Sequence, residues 1–191
     1  LPVISVEQAL AAILAQIKPL GTERVVISDS LDRVLAEDII APCNVPPFDN
    51  SAMDGYAVRH ADIGGACPER PVKLKIASDL PAGYTAAAPL KPGEAIRIMT
   101  GAPVPEGTDT VIMQEDTTAE GSVVTILQES KKGTNIRHAG EDIKKRSLLF
   151  NGGTMLRPGH IGTLASIRRA VVSVYQRPRI AIVSTGDELV D

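Results

Sequence analysis

The stretch Pro46-Pro47-Phe48-Asp49-Asn50-Ser51-Ala52-Met53-Asp54-Gly55-Tyr56-Ala57-Val58 places two carboxylates, an amide, a hydroxyl and a glycine between two prolines and a short apolar strand. Asp, Asn and Ser side chains bond nearby backbone, and Gly55 is expected to supply a positive φ, so one interpretation is an Asx-rich turn. A calcium loop is disfavoured, because neither Asp49 nor Asn50 begins the required alternating carboxylate spacing. The other interpretation is a functional site.

The composition is typical of a globular protein with a real core. The chain has 191 residues, enough for one to two domains, with 43% hydrophobic and 23% charged residues. It has no Trp, two Phe and three Tyr, so its core must be built from aliphatic side chains. Fourteen Pro and sixteen Gly predict many turns.

Charge and hydropathy disfavour two classes of partner. A net charge of −3 is unlike the basic surface on which nucleic-acid binding normally depends. The apolar runs are far shorter than the roughly 20 residues that span a bilayer, and no signal sequence opens the chain. Cys43 and Cys67 lack zinc-ligand spacing and are expected to be free thiols. These features favour a cytoplasmic protein.

The first 45 residues mix helix and strand signals. Ser5 to Gln8 reads as a capping box, and apolar residues then recur on one helical face until Pro19. Residues 24–27 are predicted to form a short strand and residues 31–36 a short helix, before Ile39 and Ile40 extend toward Pro42.

Residues 46–139 have the pattern of an all-β domain, either an antiparallel sheet or a barrel. Val72, Leu74 and Ile76 alternate with lysines, and similar short runs cover 95–99, 111–113 and 123–127. The mixed signals on both sides of this segment predict that it is inserted into a discontinuous first domain, made of residues 1–45 and 140–176.

The C-terminal part again combines helix and strand. Residues 147–150 are expected to pair locally, and Ile161, Leu164 and Ile167 have helical spacing ahead of a strand at 170–175. Residues 179–183 form an apolar run typical of a buried parallel strand, so 177–191 predicts the start of an α/β domain. Because the chain lacks an initial Met and stops just after this signal, it is expected to be part of a longer protein.

Three further segments carry candidate chemistry. Thr100-Gly101-Ala102-Pro103 offers a hydroxyl and glycine amides to an oxyanion, although Thr-Gly turns are common in hairpins. Arg137-His138-Ala139-Gly140-Glu141-Asp142 has two adjacent carboxylates for a metal or for salt bridges with nearby basic residues. Ser184-Thr185-Gly186-Asp187-Glu188 follows the predicted parallel strand, where open α/β sheets bind ligands, but a helix-capping turn uses the same residues. His138 is assigned no role.

One locally basic stretch runs through Lys131, Lys132, Arg137 and residues 144–146. A solvated face is one interpretation of this stretch, and close-range attraction of an anionic ligand is the other.

The motifs at 46–58, 100–107, 137–143 and 184–188 closely resemble those of the molybdenum-inserting family that includes bacterial MoeA and the E domain of gephyrin. The resemblance covers essentially the whole chain. It implies a mixed α+β fold: a discontinuous elongated first domain, an inserted barrel-like β domain, and the first strand of a truncated molybdopterin-binding α/β domain. It also implies that the parent protein exchanges the AMP of adenylylated molybdopterin for molybdenum, using molybdate and Mg²⁺.

The resemblance assigns site residues by motif. Candidate catalytic residues are Asp54, Thr100, Asp142 and Glu188, and the three carboxylates among them are the candidate ligands of Mg²⁺. Mg²⁺ prefers carboxylate and phosphate oxygens, which fits a pyrophosphate-like substrate. Candidate substrate-binding residues are Asp49, Asn50, Ser51, Gly101, Ser184, Thr185 and Gly186.

The expected partners are a second copy of the chain, the small-molecule substrates, the upstream adenylyltransferase and proteins of molybdoenzyme maturation. In a family-like homodimer, Asp54 and Thr100 would meet Glu188 of the other subunit. The 191 residues alone are expected to be inactive. The alternatives are a noncatalytic scaffold of the gephyrin type, or the same chemistry on tungstate.

Overall fold

The computed structural model describes residues 4–182 of the chain. Its helices and strands are, in chain order, α1 Val6–Gln16, β1 Thr22–Val26, β2 Ile39–Ile40, β3 Asn50–Ser51, β4 Gly55–Val58, β5 Val72–Leu80, β6 Glu94–Ile98, β7 Thr110–Met113, β8 Thr117–Glu120, β9 Val123–Ile126, β10 Ile136–Arg137, β11 Leu148–Phe150, α2 Pro158–Ser166 and β12 Val171–Tyr175. The fold is therefore mixed α and β. Within residues 4–182, no helix is both long enough and apolar enough to cross a membrane.

Two compact units divide the chain. Ala41–Ser147 forms the second unit, and the described residues on either side of it form the first. Two hydrogen-bonded contacts lie near the ends of the second unit: the amide of Ala41 donates to the Ser147 carbonyl at 2.9 Å, and that of Val45 donates to the Ile143 carbonyl at 2.8 Å. The sequence places the inserted domain at 46–139, and this domain assignment stays a prediction.

The first unit contains both helices. Strand β1 pairs antiparallel with β12, and β2 pairs antiparallel with β11. The capping box at Ser5 and the helix that follows it are confirmed as α1, and the helical spacing after Pro158 is confirmed as α2. The core of this unit is aliphatic, with fully buried Leu35, Leu156, Leu164, Ile167 and Val174.

Two predictions for the first unit are wrong. Residues 31–36 form no helix, because fully buried Leu35 bridges to Val174 and Asp32 has a φ of 60°. Strand β11 pairs with β2, far away in the sequence, rather than locally. The structure assigns no strand to residues 179–182, and residues 183–191 lie outside the described residues, so the start of an α/β domain at 177–191 stays a prediction.

The second unit is built on a six-stranded sheet with the strand order β7-β4-β6-β5-β9-β8. The predicted alternation is confirmed in β5, whose Leu74 is buried while the flanking lysines are exposed. Four of the five strand pairs are antiparallel, and β5 with β6 is parallel. Strands β7 and β8 end the order, and barrel-like closure stays a prediction. Strands β3 and β10 form a separate antiparallel pair.

Two buried aliphatic clusters stabilise this unit. One includes Tyr56, Ile112 and Val124, and the other includes Ala57, Ile98 and Val111. Successive residues of β4 and of β7 enter different clusters, as the two-residue period of a strand requires. Strand β4 is thus buried along its whole length, and it fixes the polar loop that precedes it.

Candidate functional site

Backbone hydrogen bonds bring three of the sequence motifs together in the second unit. The amide of Ser51 donates to the Ala102 carbonyl at 3.0 Å, and the amide of Gly101 donates to the Ser51 carbonyl at 2.8 Å. On its other side, Ser51 pairs with Ile136 in the β3–β10 ladder. The motif loop at 46–54 therefore lies between the turn at 100–104 and the turn at 137–142.

Asp54 and Thr100 connect two of the motifs by a pair of hydrogen bonds. The backbone N–H and the hydroxyl of Thr100 both donate to Oδ1 of Asp54, each at 2.7 Å. These two bonds, backbone first, lower the pKa of Asp54, and the charge of Arg97 acts in the same direction. Asp54 is exposed and, within residues 4–182, the structure shows no hydrogen bond to its Oδ2. One carboxylate oxygen can thus meet a metal or a substrate.

The hydroxyl of Thr100 is engaged with Asp54 in this arrangement, and its donation to a substrate oxyanion stays a prediction. Its proton is donated to Asp54, so a donation to an incoming oxyanion would compete with that bond. The neighbouring Gly101 has a φ of +82° and open space around its α-carbon.

Gly55 permits two strands to pack closely, and it does not supply the positive φ that the sequence predicted. It lacks a positive φ and is buried in β4. A Cβ at this position would collide with the carbonyl oxygen of Ile112 on β7. The prediction of a positive φ is wrong, because the glycine is needed for a close approach of two backbones.

Asn50 and Ser51 are buried, and their polar groups bond locally. The Ser51 hydroxyl donates to the Met53 carbonyl at 2.6 Å and accepts from the Met53 amide at 3.3 Å. The Asn50 amide lies 3.5 Å from the Phe48 carbonyl. These contacts stabilise the turn, and a role of either residue in substrate binding stays a prediction.

The side chain of Asp49 bonds to the third motif, the turn at 137–142. Its Oδ1 accepts from the amide of Ala139 at 2.8 Å, and its Oδ2 lies 3.0 Å from Nδ1 of His138. These two contacts, the backbone bond first, lower the pKa of Asp49. The sequence analysis missed His138, because 89 residues separate it from Asp49 and no local pattern connects them.

The turn at 137–142 contains ion pairs. Nη2 of Arg137 donates to both oxygens of Asp142 at 2.8 Å, and its Nε lies 3.9 Å from Glu141. Buried Gly140 permits the turn with a φ of +76°, and its amide donates to the Pro46 carbonyl at 2.9 Å. The salt-bridge interpretation thus describes this turn, and a metal at Asp142 would have to compete with Arg137.

The candidate metal ligands are only partly assembled in the described part of the chain. No group of three or more His, Cys, Asp or Glu residues that could hold a metal occurs there. Mg²⁺ often takes only one or two protein carboxylates together with phosphate and water oxygens, and Asp54 fits that demand. Four predicted site residues lie outside the described residues: Ser184, Thr185, Gly186 and Glu188.

The two cysteines and most of the basic stretch lie outside the three motifs described above. Cys43 and Cys67 are both free and half-buried. Lys132 lies 3.4 Å from Asp109, and residues 144–146 are exposed, as expected of a solvated face.

The fold and the site define a mixed α/β protein with exposed carboxylates on adjoining turns of a β-rich unit. The sequence profile described as the MoeA N-terminal region (domain I and II) matches residues 4–167, so the chain belongs to the MoeA family.

The relatives support this assignment over nearly the whole chain. The chain is 42% identical to molybdopterin molybdenumtransferase of Haemophilus influenzae, covering 98% of this chain and 46% of that protein. It is 40% identical to molybdopterin molybdenumtransferase of Bacillus subtilis, covering 98% and 45%. A crystal structure of the molybdopterin biosynthesis MoeA protein from Pyrococcus horikoshii superposes with a TM-score of 0.82 at 37% identity, covering 88% of this chain and 45% of that one. The chain thus spans about half the length of the curated relatives it matches.

Proposed function

We propose that this chain is the N-terminal part of an enzyme of molybdenum cofactor biosynthesis, which inserts molybdenum from molybdate into adenylylated molybdopterin and releases AMP. The proposal rests on the family match over residues 4–167 and on the names of its relatives. One observation in the structure supports a particular residue for this function: the exposed carboxylate of Asp54 accepts two hydrogen bonds from Thr100.

Separate roles for Asp54 and Thr100 are part of the proposal. Thr100 would hold one oxygen of Asp54 and lower the pKa of its carboxyl group, and the second oxygen would be left for a ligand. When bound, Mg²⁺ would neutralise the charge of the pyrophosphate-like linkage. Asp54 would hold that ion as one of its few protein ligands, and Glu188 is proposed as a second carboxylate. Asp142 is proposed to act together with Arg137, whose charge it balances.

A site shared between two subunits is part of the proposal. We propose a homodimer in which Asp54 and Thr100 of one subunit face Glu188 of the other. Association with the upstream adenylyltransferase and with maturation partners is likewise proposed, as is a cytoplasmic location. Most of the α/β domain would come from outside this chain, so the 191 residues alone are expected to lack turnover.

The scaffold alternative is not favoured, because the relatives named above are transferases. Tungstate as the metal source stays an alternative, since the two oxyanions are nearly alike in size and charge.

The test uses the full-length protein, meaning this chain together with the C-terminal half that its relatives carry. It is incubated with adenylylated molybdopterin, Mg²⁺ and molybdate, and released AMP and bound molybdenum are measured together. We expect the two to rise together, with molybdate required for both. Release of AMP without any incorporation of molybdenum would contradict the proposal, and parallel reactions with tungstate would show the metal preference.

A further inference from the structure

Both carboxylate oxygens of Asp49 are already engaged within the protein. Oδ1 accepts from the Ala139 amide at 2.8 Å, and Oδ2 lies 3.0 Å from His138 Nδ1. Within the described part of the chain, Asp54 has one carboxylate oxygen without a protein partner, whereas both oxygens of Asp49 are bonded to the turn at 137–142. These bonds make Asp49 a link between that turn and the motif loop, and its contact with substrate stays a prediction.

Asp49 lies where the three site segments meet. Its carbonyl accepts from the amide of Val104 at 2.9 Å, which joins it to the turn at 100–104. Its side chain joins the same residue to the turn at 137–142. The Gly140 amide adds a bond to the Pro46 carbonyl at 2.9 Å, three residues before Asp49. A shift of the Asp49 side chain would therefore change the spacing of segments that carry Asp54 and Asp142.

The charges around His138 favour the contact between its Nδ1 and the carboxylate of Asp49. Asp49 faces the ring, and Glu141 accepts the backbone amide of His138 at 3.0 Å. Arg137 is paired with Asp142 and lies 3.9 Å from Glu141. Because its guanidinium is engaged there, it does not compete with the His138 imidazole for Asp49. The His138 side chain is 68% exposed and that of Asp49 is 49% exposed. An exposed pair of this kind contributes little to global stability, which points to local geometry as its purpose.

We infer that His138 is a positioning residue: its Nδ1 fixes Asp49 as the anchor between the motif loop and the turn at 137–142. The effect on activity rests on the proposed function, whereas the anchoring itself does not. Nδ1 can donate to Asp49 in one neutral tautomer as well as in the imidazolium form.

Three substitutions separate this role from a direct contact with substrate. In His138→Asn, the amide nitrogen can occupy roughly the position of the imidazole Nδ1, whereas in His138→Gln it reaches the position of Nε2. His138→Ala removes both. The first measurement is the pKa of the Asp49 carboxyl group, followed by ¹³C NMR in the 191-residue chain. The second is molybdenum insertion by the full-length protein, across pH.

We expect the pKa of Asp49 to rise in the Ala and Gln variants and to return toward the wild-type value in the Asn variant. Insertion should fall by about tenfold in the Ala and Gln variants and be largely restored by Asn, because one charged hydrogen bond and the spacing of the site are at stake.

An unchanged Asp49 pKa in the Ala variant would overturn the anchoring. Rescue of insertion by Gln but not by Asn would overturn the positioning role and assign His138 a substrate contact through Nε2. If the wild-type protein inserts no molybdenum, the proposed function fails, and the pKa comparison still decides whether His138 anchors Asp49.

Discussion

Replacing Gly55 with Ala is expected to destabilise the six-stranded sheet, because β4 has no room for a methyl group. An ideal Cβ would collide with the Ile112 carbonyl oxygen, and it would lie 2.9 Å from the Ile112 carbonyl carbon and 3.1 Å from Met113 Cα. Relaxed carbon contacts lie at about 3.5–4.0 Å, so β4 and β7 must move apart. Overpacking costs about 1–3 kcal/mol. We expect about 3 kcal/mol, since β4 is bonded to strands on both sides.

Native-state hydrogen exchange of the β4 and β6 amides is the suitable assay, because it reports on the second unit separately from the first. Gly64→Ala is the matched control, since a Cβ there meets nothing within 4 Å and Gly64 has no positive φ. The control should change the free energy of opening by less than about 0.5 kcal/mol. A change equally small in Gly55→Ala would refute the argument that this glycine is required by close strand approach.

Three further predictions concern charge, subunit sharing and the core. Thr100→Val removes a donor and should raise the pKa of Asp54, as measured by ¹³C NMR, while the retained amide bond still keeps that pKa below its ordinary value. Because the folded-state pKa is depressed, the stabilisation is present above the unfolded pKa and is lost as pH falls through the folded pKa. Acidification should therefore destabilise wild type more than the variant. Coexpressed full-length Asp54→Asn and Glu188→Gln variants should recover about a quarter of wild-type activity. About half of the dimers would be mixed, and each mixed dimer would have one intact site out of two. Mixed dimers that stay inactive would contradict a shared site. Leu164→Ala should cost about 2–5 kcal/mol of the first unit's stability in denaturant titrations, because this side chain is fully buried.

Local patterns predicted those elements whose structure depends on neighbouring residues. The capping box at Ser5 and the alternation around Leu74 are confirmed because each follows from nearby residues alone. Residues 31–36 have helical spacing, yet the backbone of Leu35 bonds to the distant Gly153 and Thr154, and Leu35 bridges to Val174 of β12. Burial against those partners outweighs a weak helical propensity.

The candidate site likewise depends on contacts between residues that are far apart in the sequence. The motifs identified Asp54 and Thr100 separately, but the two are 46 positions apart, and their contact depends on how the sheet arranges the two loops. A salt bridge of Asp142 with nearby basic residues was one of two interpretations of the sequence, and the structure forms it with Arg137, five residues away. His138 stands at a position that no pattern marked, so its contact with Asp49 required the fold.

The central claim is that the exposed carboxylate of Asp54 serves molybdenum insertion. The most direct test compares insertion rates of wild-type and Asp54→Asn full-length protein at saturating molybdate, with Glu120→Gln on the edge strand β8 as the matched control. Asn can keep a turn hydrogen bond but removes the charge that a metal would sense. We predict a marked loss of insertion in Asp54→Asn with unchanged folding, and no loss in the control. An Asp54→Asn rate equal to that of wild type would contradict the account and leave Asp54 as a turn residue only.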